Sequence, residues 1–394
     1  MVEDKLITID ASTNSSTNSS TNSSTNSNKI KKELGKNWEE SGSQYFELKN
    51  FDFSKKIFFH PENIVQYKEG KRPFPVTLEI DLTNRCNHRC SFCFYAEHIS
   101  INKDSLDTKI LKQRLNEAKE LGTKGISFTG GGEPMIHKDY EEILVFTKKL
   151  GFDVGTITNG SVINKQNVDT LIDNLQWIRI SMAGGDKQSY ENVQGVDQFN
   201  KVVSNIQLLS KRKMELNSSI NVGIRTLVTP ENIHSIIKFA NMIKSLNINY
   251  FQLAPDQYTN DKGGFWNSND TQNVFKETKE ILTENGIFLL GTGYMKSQEK
   301  LDHPQTCYAH FFKAAILAEG HYSFCQNARD DPKFHIGNIY NNTLKEIWEN
   351  EKIREIEKWV KPNNCELFCR HMAINNAMED NIHPDHDMSP NFVG

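Results

Sequence analysis

The sequence predicts an α/β fold, a mainly parallel sheet with helices packed outside it. Two observations carry this. From Val76 onward, short β-branched or apolar runs alternate with longer amphipathic stretches. The first three apolar runs end in loops rich in Cys, Gly or Asn, placed where a barrel enzyme carries its chemistry. Periodicity alone fits both a partial barrel and an open doubly wound sheet.

In chain order, residues 11–28 repeat Ser, Thr and Asn with almost nothing apolar, and such a segment is expected to be a disordered tail spanning 1–28. Asn14-Ser-Ser matches a glycosylation acceptor only formally, since no secretory signal precedes it. Residues 29–75 are lysine-rich with aromatic punctuation (Tyr45-Phe46, Phe51, Phe53, Phe58-Phe59) and read as an extension packed on the core. Six strands are then expected: Val76–Asp81, Gly125–Phe128, Asp153–Ile157, Trp177–Met182, Ser219–Leu227 and Tyr250–Leu253. The intervening helices are expected over Leu106–Leu121, Tyr140–Leu150, Val162–Leu171, Phe199–Leu209, Ile233–Leu246 and Val274–Glu284. Leu106, Ile110, Leu111, Leu115 and Ala118 show the three-and-four spacing of one buried helix face.

The 394 residues are enough for one large domain and a smaller one. With 46 basic and 50 acidic side chains the net charge is −4, which argues against nucleic acid as the main partner. No run approaches about 18 apolar residues, so no membrane span is expected, and the chain reads as cytoplasmic. Seven cysteines fit a complete disulfide set badly and a split of three plus four well.

The first set is Cys86, Cys90 and Cys93, in Leu82-Thr-Asn-Arg-Cys-Asn-His-Arg-Cys-Ser-Phe-Cys-Phe-Tyr95, directly after the first strand. Three thiolates can hold three irons of a 4Fe-4S cube, which takes four cysteines when fully ligated, so one iron stays open. Spacing alone also allows a zinc site completed by His88, or buried structural thiols. Thr129-Gly-Gly-Gly-Glu-Pro134 follows the second strand; its glycines admit close ligand approach and Glu133 can meet an ammonium group.

Together these motifs resemble the radical S-adenosylmethionine (radical SAM) enzymes over about residues 76–300. The resemblance implies a partial (β/α)6 TIM-like barrel. It implies that the open iron chelates SAM, whose reductive cleavage to a 5′-deoxyadenosyl radical starts hydrogen abstraction. It implies that Phe92 lies near the adenine and that Gly131, Gly132 and Glu133 bind the amino group of SAM. Asn159 and Ser181 would line the ribose, and Arg225 would pair with the SAM carboxylate. A flavodoxin- or ferredoxin-type electron donor would be a partner. No catalytic side chain is assigned.

Cys307, Cys325, Cys365 and Cys369 form the second set. Their order with a hairpin, Ile336-Gly-Asn-Ile339 and a Leu344-x-x-Ile-Trp348 helix resembles the SPASM/twitch auxiliary domain, here over 301–394 as a small α+β domain. Four cysteines match one auxiliary 4Fe-4S cluster, with an electron-relay role; the full SPASM pattern has more cysteines. A zinc site of Cys365, Cys369, His383 and His386 is the alternative. The tail from His383 reads as a frayed end or as a lid bringing His383, His386 or Asn391 to substrate. The substrate expected is a small polar metabolite (a sugar, cyclitol, nucleotide or amino-acid derivative). Rival readings are a peptide maturase forming thioether or carbon–carbon cross-links, and a non-catalytic iron–sulfur or zinc sensor.

Overall fold

A computed structural model describes residues 53–255, 264–291, 304–362, 365, 369 and 371–383. The Ser/Thr/Asn repeat, most of the lysine-rich extension, His386 and Asn391 lie outside the described residues.

The strands are β1 Thr77–Asp81, β2 Gly125–Thr129, β3 Asp153–Thr158, β4 Trp177–Ser181, β5 Asn221–Val228, β6 Tyr250–Pro255, β7 Phe288–Leu290, β8 Lys313–Ile316, β9 His321–Ser323 and β10 His335–Asn338. They form one sheet in the order β10-β9-β8-β1-β2-β3-β4-β5-β6-β7. From β8 through β7 every pairing is parallel, and β9 and β10 add antiparallel at the outer edge. This is the parallel α/β sheet that the alternating pattern predicts.

The helices follow from the same pattern. The Thr108–Glu120 helix is N-capped by Asp107, whose carboxylate accepts from the Ile110 N–H, and it buries Leu111, Leu115 and Ala118. Ser268 caps Asn269–Thr283 in the same way. Alternate residues of each strand face opposite ways. Leu78 and Ile80 of β1, Ile178 and Ile180 of β4, and Val222 and Ile224 of β5 share one buried core with the helices. The other face is polar: Glu79 and Asp81 on β1, Arg179 and Ser181 on β4, Arg225 on β5 and Gln252 on β6.

Several features exceed the sequence expectation, two of them within the barrel. A seventh parallel strand, β7, is only three residues long, too short for alternation to reveal. The helix Lys187–Gln194, capped by Asp186 and ended by left-handed Gly195, was not expected between β4 and the Phe199–Glu215 helix. The C-terminal hairpin does not form its own sheet. Its first strand, β8, continues the barrel sheet beside β1, with Leu78 opposite Ala314 and Ile80 opposite Ile316. The preceding segment is tied to the same region: Asn63 donates to the Phe74 and Phe311 carbonyls, and Arg72 makes a two-pronged pair with Glu357.

Candidate active site

The cysteine loop leaves the carboxyl end of β1, where a parallel barrel places its chemistry. Two neighbours clamp its backbone. On one side Gly132 N–H donates to Thr83 O at 2.9 Å and Glu133 N–H to Arg85 O at 2.9 Å. A Cβ on Gly132 would stand 2.1 Å from the Arg85 carbonyl oxygen, and one on Gly131 would stand 2.2 Å from Asn84 Oδ1. Glycine is therefore a requirement of this approach. On the other side the end of the Lys187–Gln194 helix receives Arg89 N–H at the Gln194 carbonyl and Ser91 N–H at the Val193 carbonyl.

The three thiols of this loop are close enough for their charges to interact, and Gln194 hydrogen-bonds Cys90. Burial, then the two neighbouring sulfurs, push Cys90 up to about 12. Thiolates gathered in such a place need cations among them, which a cluster of iron ions supplies. Among the described residues no three His, Cys, Asp or Glu side chains converge on one ion. Thiolates around a cube each meet a different iron and stand further apart than ligands of one ion. His88 is buried and bonded through Nε2 to the Tyr190 hydroxyl at 3.1 Å, and burial lowers its pKa to about 4.

Glu133 is 3% exposed, and burial pushes its carboxyl up to about 7. Three donors hold it: Thr158 Oγ1 at 2.6 Å, Asn159 N–H at 2.7 Å and Met135 N–H at 3.2 Å. A carboxylate has about four acceptor sites, so one remains for a ligand cation. Asn159 also reaches the cysteine loop, donating to Asn87 Oδ1 at 2.8 Å, while Asn87 donates to Ser161 Oγ. Glu133, Asn159 and the three cysteines are thus joined at one end of the barrel. Ser181 ends β4, where its carbonyl accepts from Gln194 at 3.4 Å. Arg225 stands opposite Ser181 on β5 and, with Arg179, is near enough to Tyr250 to act on its hydroxyl. Phe92 is half-buried on the cysteine loop itself.

The second set also assembles. Cys325, Cys365 and Cys369 all lie within electrostatic reach of Cys307, and Cys325 within reach of Cys365; burial, then Cys325, raise the Cys307 thiol. Fully buried Asn375 builds the turn after Cys307 by accepting from the Tyr308 and Ala309 N–H groups at 2.8 and 2.9 Å.

Sequence reasoning missed Gln194, Glu319 and Arg329. Each is a polar residue whose partner lies on a distant element, and no local spacing marks such a residue.

Comparison with known proteins gives this arrangement its family. Residues 80–243 match the radical SAM superfamily model, and residues 307–371 match the iron–sulfur cluster-binding domain SPASM. The cofactor-modifying protein of tungsten-containing aldehyde ferredoxin oxidoreductase from Pyrococcus furiosus is 24% identical over 77% of this chain and 88% of its own length. The PqqA peptide cyclase of Gluconobacter oxydans is 23% identical over 70% of this chain and 76% of its own. A probable GTP 3′,8-cyclase of Saccharolobus islandicus is 27% identical, over 45% of this chain and 55% of its own. Among solved structures, Streptococcus suis SuiB bound to S-adenosylmethionine superimposes with TM-score 0.58 at 18% identity, covering 74% of this chain and 70% of SuiB. The anSMEcpe structure with bound AdoMet gives 0.55 at 20% identity, covering 72% and 83%. At those identities the structural likeness speaks for the fold.

The chain is an enzyme of the radical SAM superfamily. It belongs to the branch with a SPASM-type C-terminal domain, and its cofactors are 4Fe-4S clusters and S-adenosylmethionine. No described helix is long and apolar enough to cross a membrane.

Proposed function

We propose that this enzyme abstracts hydrogen from a small polar metabolite held against the inner face of the barrel. The observation that carries this is that face itself: Arg179, Arg225, Tyr250 and Gln252 line it, while the opposite faces of the same strands are apolar. Such a face binds charged and hydrogen-bonding groups, matching a sugar, cyclitol, nucleotide or amino-acid derivative.

In this reading Cys86, Cys90 and Cys93 hold the SAM-site cluster. Glu133 keeps its free acceptor site for the SAM ammonium, braced by Thr158 and Asn159. Gly131 and Gly132 keep the backbone clear, Phe92 borders the adenine, Asn159 and Ser181 border the ribose, and Arg225 faces the carboxylate. Cys307, Cys325, Cys365 and Cys369 hold one auxiliary cluster that relays an electron. The bound cofactors supply a 5′-deoxyadenosyl radical; the chain's part is to orient SAM and substrate and to exclude water. A flavodoxin- or ferredoxin-type donor and a reducing, oxygen-poor cytoplasm suit this chemistry.

A second reading is peptide maturation, with thioether or carbon–carbon cross-links. It is favoured by the PqqA peptide cyclase, similar over 70% of this chain, and by the likeness to SuiB bound to its precursor peptide SuiA. Anaerobic incubation with a low-mass cell extract and, separately, with its peptide fraction separates the two. Substrate-dependent 5′-deoxyadenosine in the peptide fraction alone would replace the first reading with the second.

A further inference from the structure

Arg329 stands four residues after Cys325 and is 3% exposed. Its Nη1 donates to Asp81 Oδ1 at 2.8 Å and its Nη2 to Glu79 Oε2 at 2.5 Å, both carboxylates on the inner face of β1. Its Nε holds the Gln326 carbonyl at 2.9 Å, fixing the loop that begins at Cys325. Its carbonyl accepts from His335 at 2.7 Å. Its guanidinium lies 5.8 Å from the centre of the Tyr95 ring, and the Tyr95 backbone N–H reaches the Cys93 sulfur. Asp81 in turn takes a hydrogen bond from the Gly131 backbone. Lys313, 3.5 Å from Glu79, is the other described cation on this wall.

We propose that Arg329 is a positioning residue that joins the two cysteine sets and sets the charge beside them. Resting on the cluster-binding reading above, the inference adds a role for three residues that hold no iron. The fork orientation of Arg329 fixes the Cys325 loop against β1 and the Cys93 side of the SAM-site loop. Its charge offsets two buried carboxylates on the wall that leads into that loop. A cluster gaining an electron feels that charge. Loss of the cation makes reduction harder, and loss of a carboxylate makes it easier.

The two signs give the test. The anaerobic holoenzyme is titrated potentiometrically and followed by electron paramagnetic resonance, the SAM-site signal being the one that changes when SAM is added. Arg329→Met is expected to move the potential of that signal to more negative values, Asp81→Asn to less negative values, and Arg329→Lys to restore most of the loss. If Arg329→Met does not fold, Asp81→Asn and Glu79→Gln still decide, since each is expected to move the potential to less negative values than wild type. Folded variants whose potentials all coincide with wild type overturn the proposal while leaving the cofactor reading intact. Wild-type protein with no SAM-responsive signal overturns both.

Discussion

Gly132→Ala tests the backbone clamp on the cysteine loop directly. The added Cβ would stand 2.1 Å from the Arg85 carbonyl oxygen, 2.6 Å from its carbon and 2.8 Å from its nitrogen. All three are backbone atoms, so no side-chain rotation relieves the clash, and the glycine loop must withdraw from the cysteine loop. Withdrawal breaks the Gly132–Thr83 and Glu133–Arg85 hydrogen bonds. At about 0.5–1.5 kcal/mol each, the loss is about 1–3 kcal/mol. It falls on the placement of Glu133, and at about 1.4 kcal/mol per tenfold it weakens SAM binding by up to roughly 5- to 140-fold. The assay is isothermal titration of SAM into anaerobic, iron-loaded protein, with iron content measured in parallel. Gly122→Ala is the control: its φ of +101° makes the substitution strained, but nothing lies within 4 Å of the new Cβ, so it lowers stability and leaves SAM affinity alone. A Gly132→Ala protein that binds SAM as wild type does would refute the argument that this contact positions Glu133.

Three further outcomes follow from the geometry. Burial pushes the Asp81 carboxyl from 3.8 up to about 6 against the pull of Arg329, so between about pH 4 and 6 the folded protein keeps a proton that the unfolded chain has released. Stability therefore falls as pH rises through this window, by about 3 kcal/mol in all at about 1.4 kcal/mol per pH unit. Asp81→Asn removes that fall, as urea midpoints between about pH 4 and 6.5 would register; an unchanged pH profile in the variant would count against a protonated Asp81. Asn375→Ala leaves the Tyr308 and Ala309 N–H groups buried without their acceptor, at a cost of about 2–4 kcal/mol, and iron content should fall toward that of the SAM-site set alone. Retention of full iron would show that this turn does not set the Cys307 position. Glu319 collects Asn84 at 2.7 Å, His98 at 2.6 Å and Asn102 at 2.5 Å on one carboxylate oxygen, and Asn84 Oδ1 lies at the edge of Gly131. Glu319→Ala is expected to raise the SAM dissociation constant several-fold with the auxiliary iron retained, and unchanged affinity would restrict Glu319 to bracing the hairpin.

Much of the sheet was legible because each of its longer strands carries its own signal. The runs at β1 to β6 are apolar on the face that meets the helices, and the helices between them repeat at three and four. Both cysteine sets stood out because residue type and order together resemble known family patterns, and the fold gathers each set. What remained hidden is set by distance along the chain. β8 lies beside β1, yet nothing near Lys313 encodes Thr77 as its neighbour. Nothing near Arg329 in sequence marks it, and only the fold brings Glu79 and Asp81 to it. Gln194 ends a short amphipathic helix, and its amide has meaning only once Cys90 arrives beside it. Asn159 was expected at the ribose; it also ties the third strand to the cysteine loop through Asn87, a contact between two loops far apart in sequence.

The most direct measurement is the electron paramagnetic resonance spectrum of the anaerobically iron-loaded, reduced enzyme before and after addition of S-adenosylmethionine, with 5′-deoxyadenosine quantified in the same sample. The account predicts a cluster signal that shifts on addition, together with 5′-deoxyadenosine, both lost in a Cys86→Ala/Cys90→Ala/Cys93→Ala variant that keeps its second cysteine set. A spectrum indifferent to S-adenosylmethionine and no 5′-deoxyadenosine would contradict it.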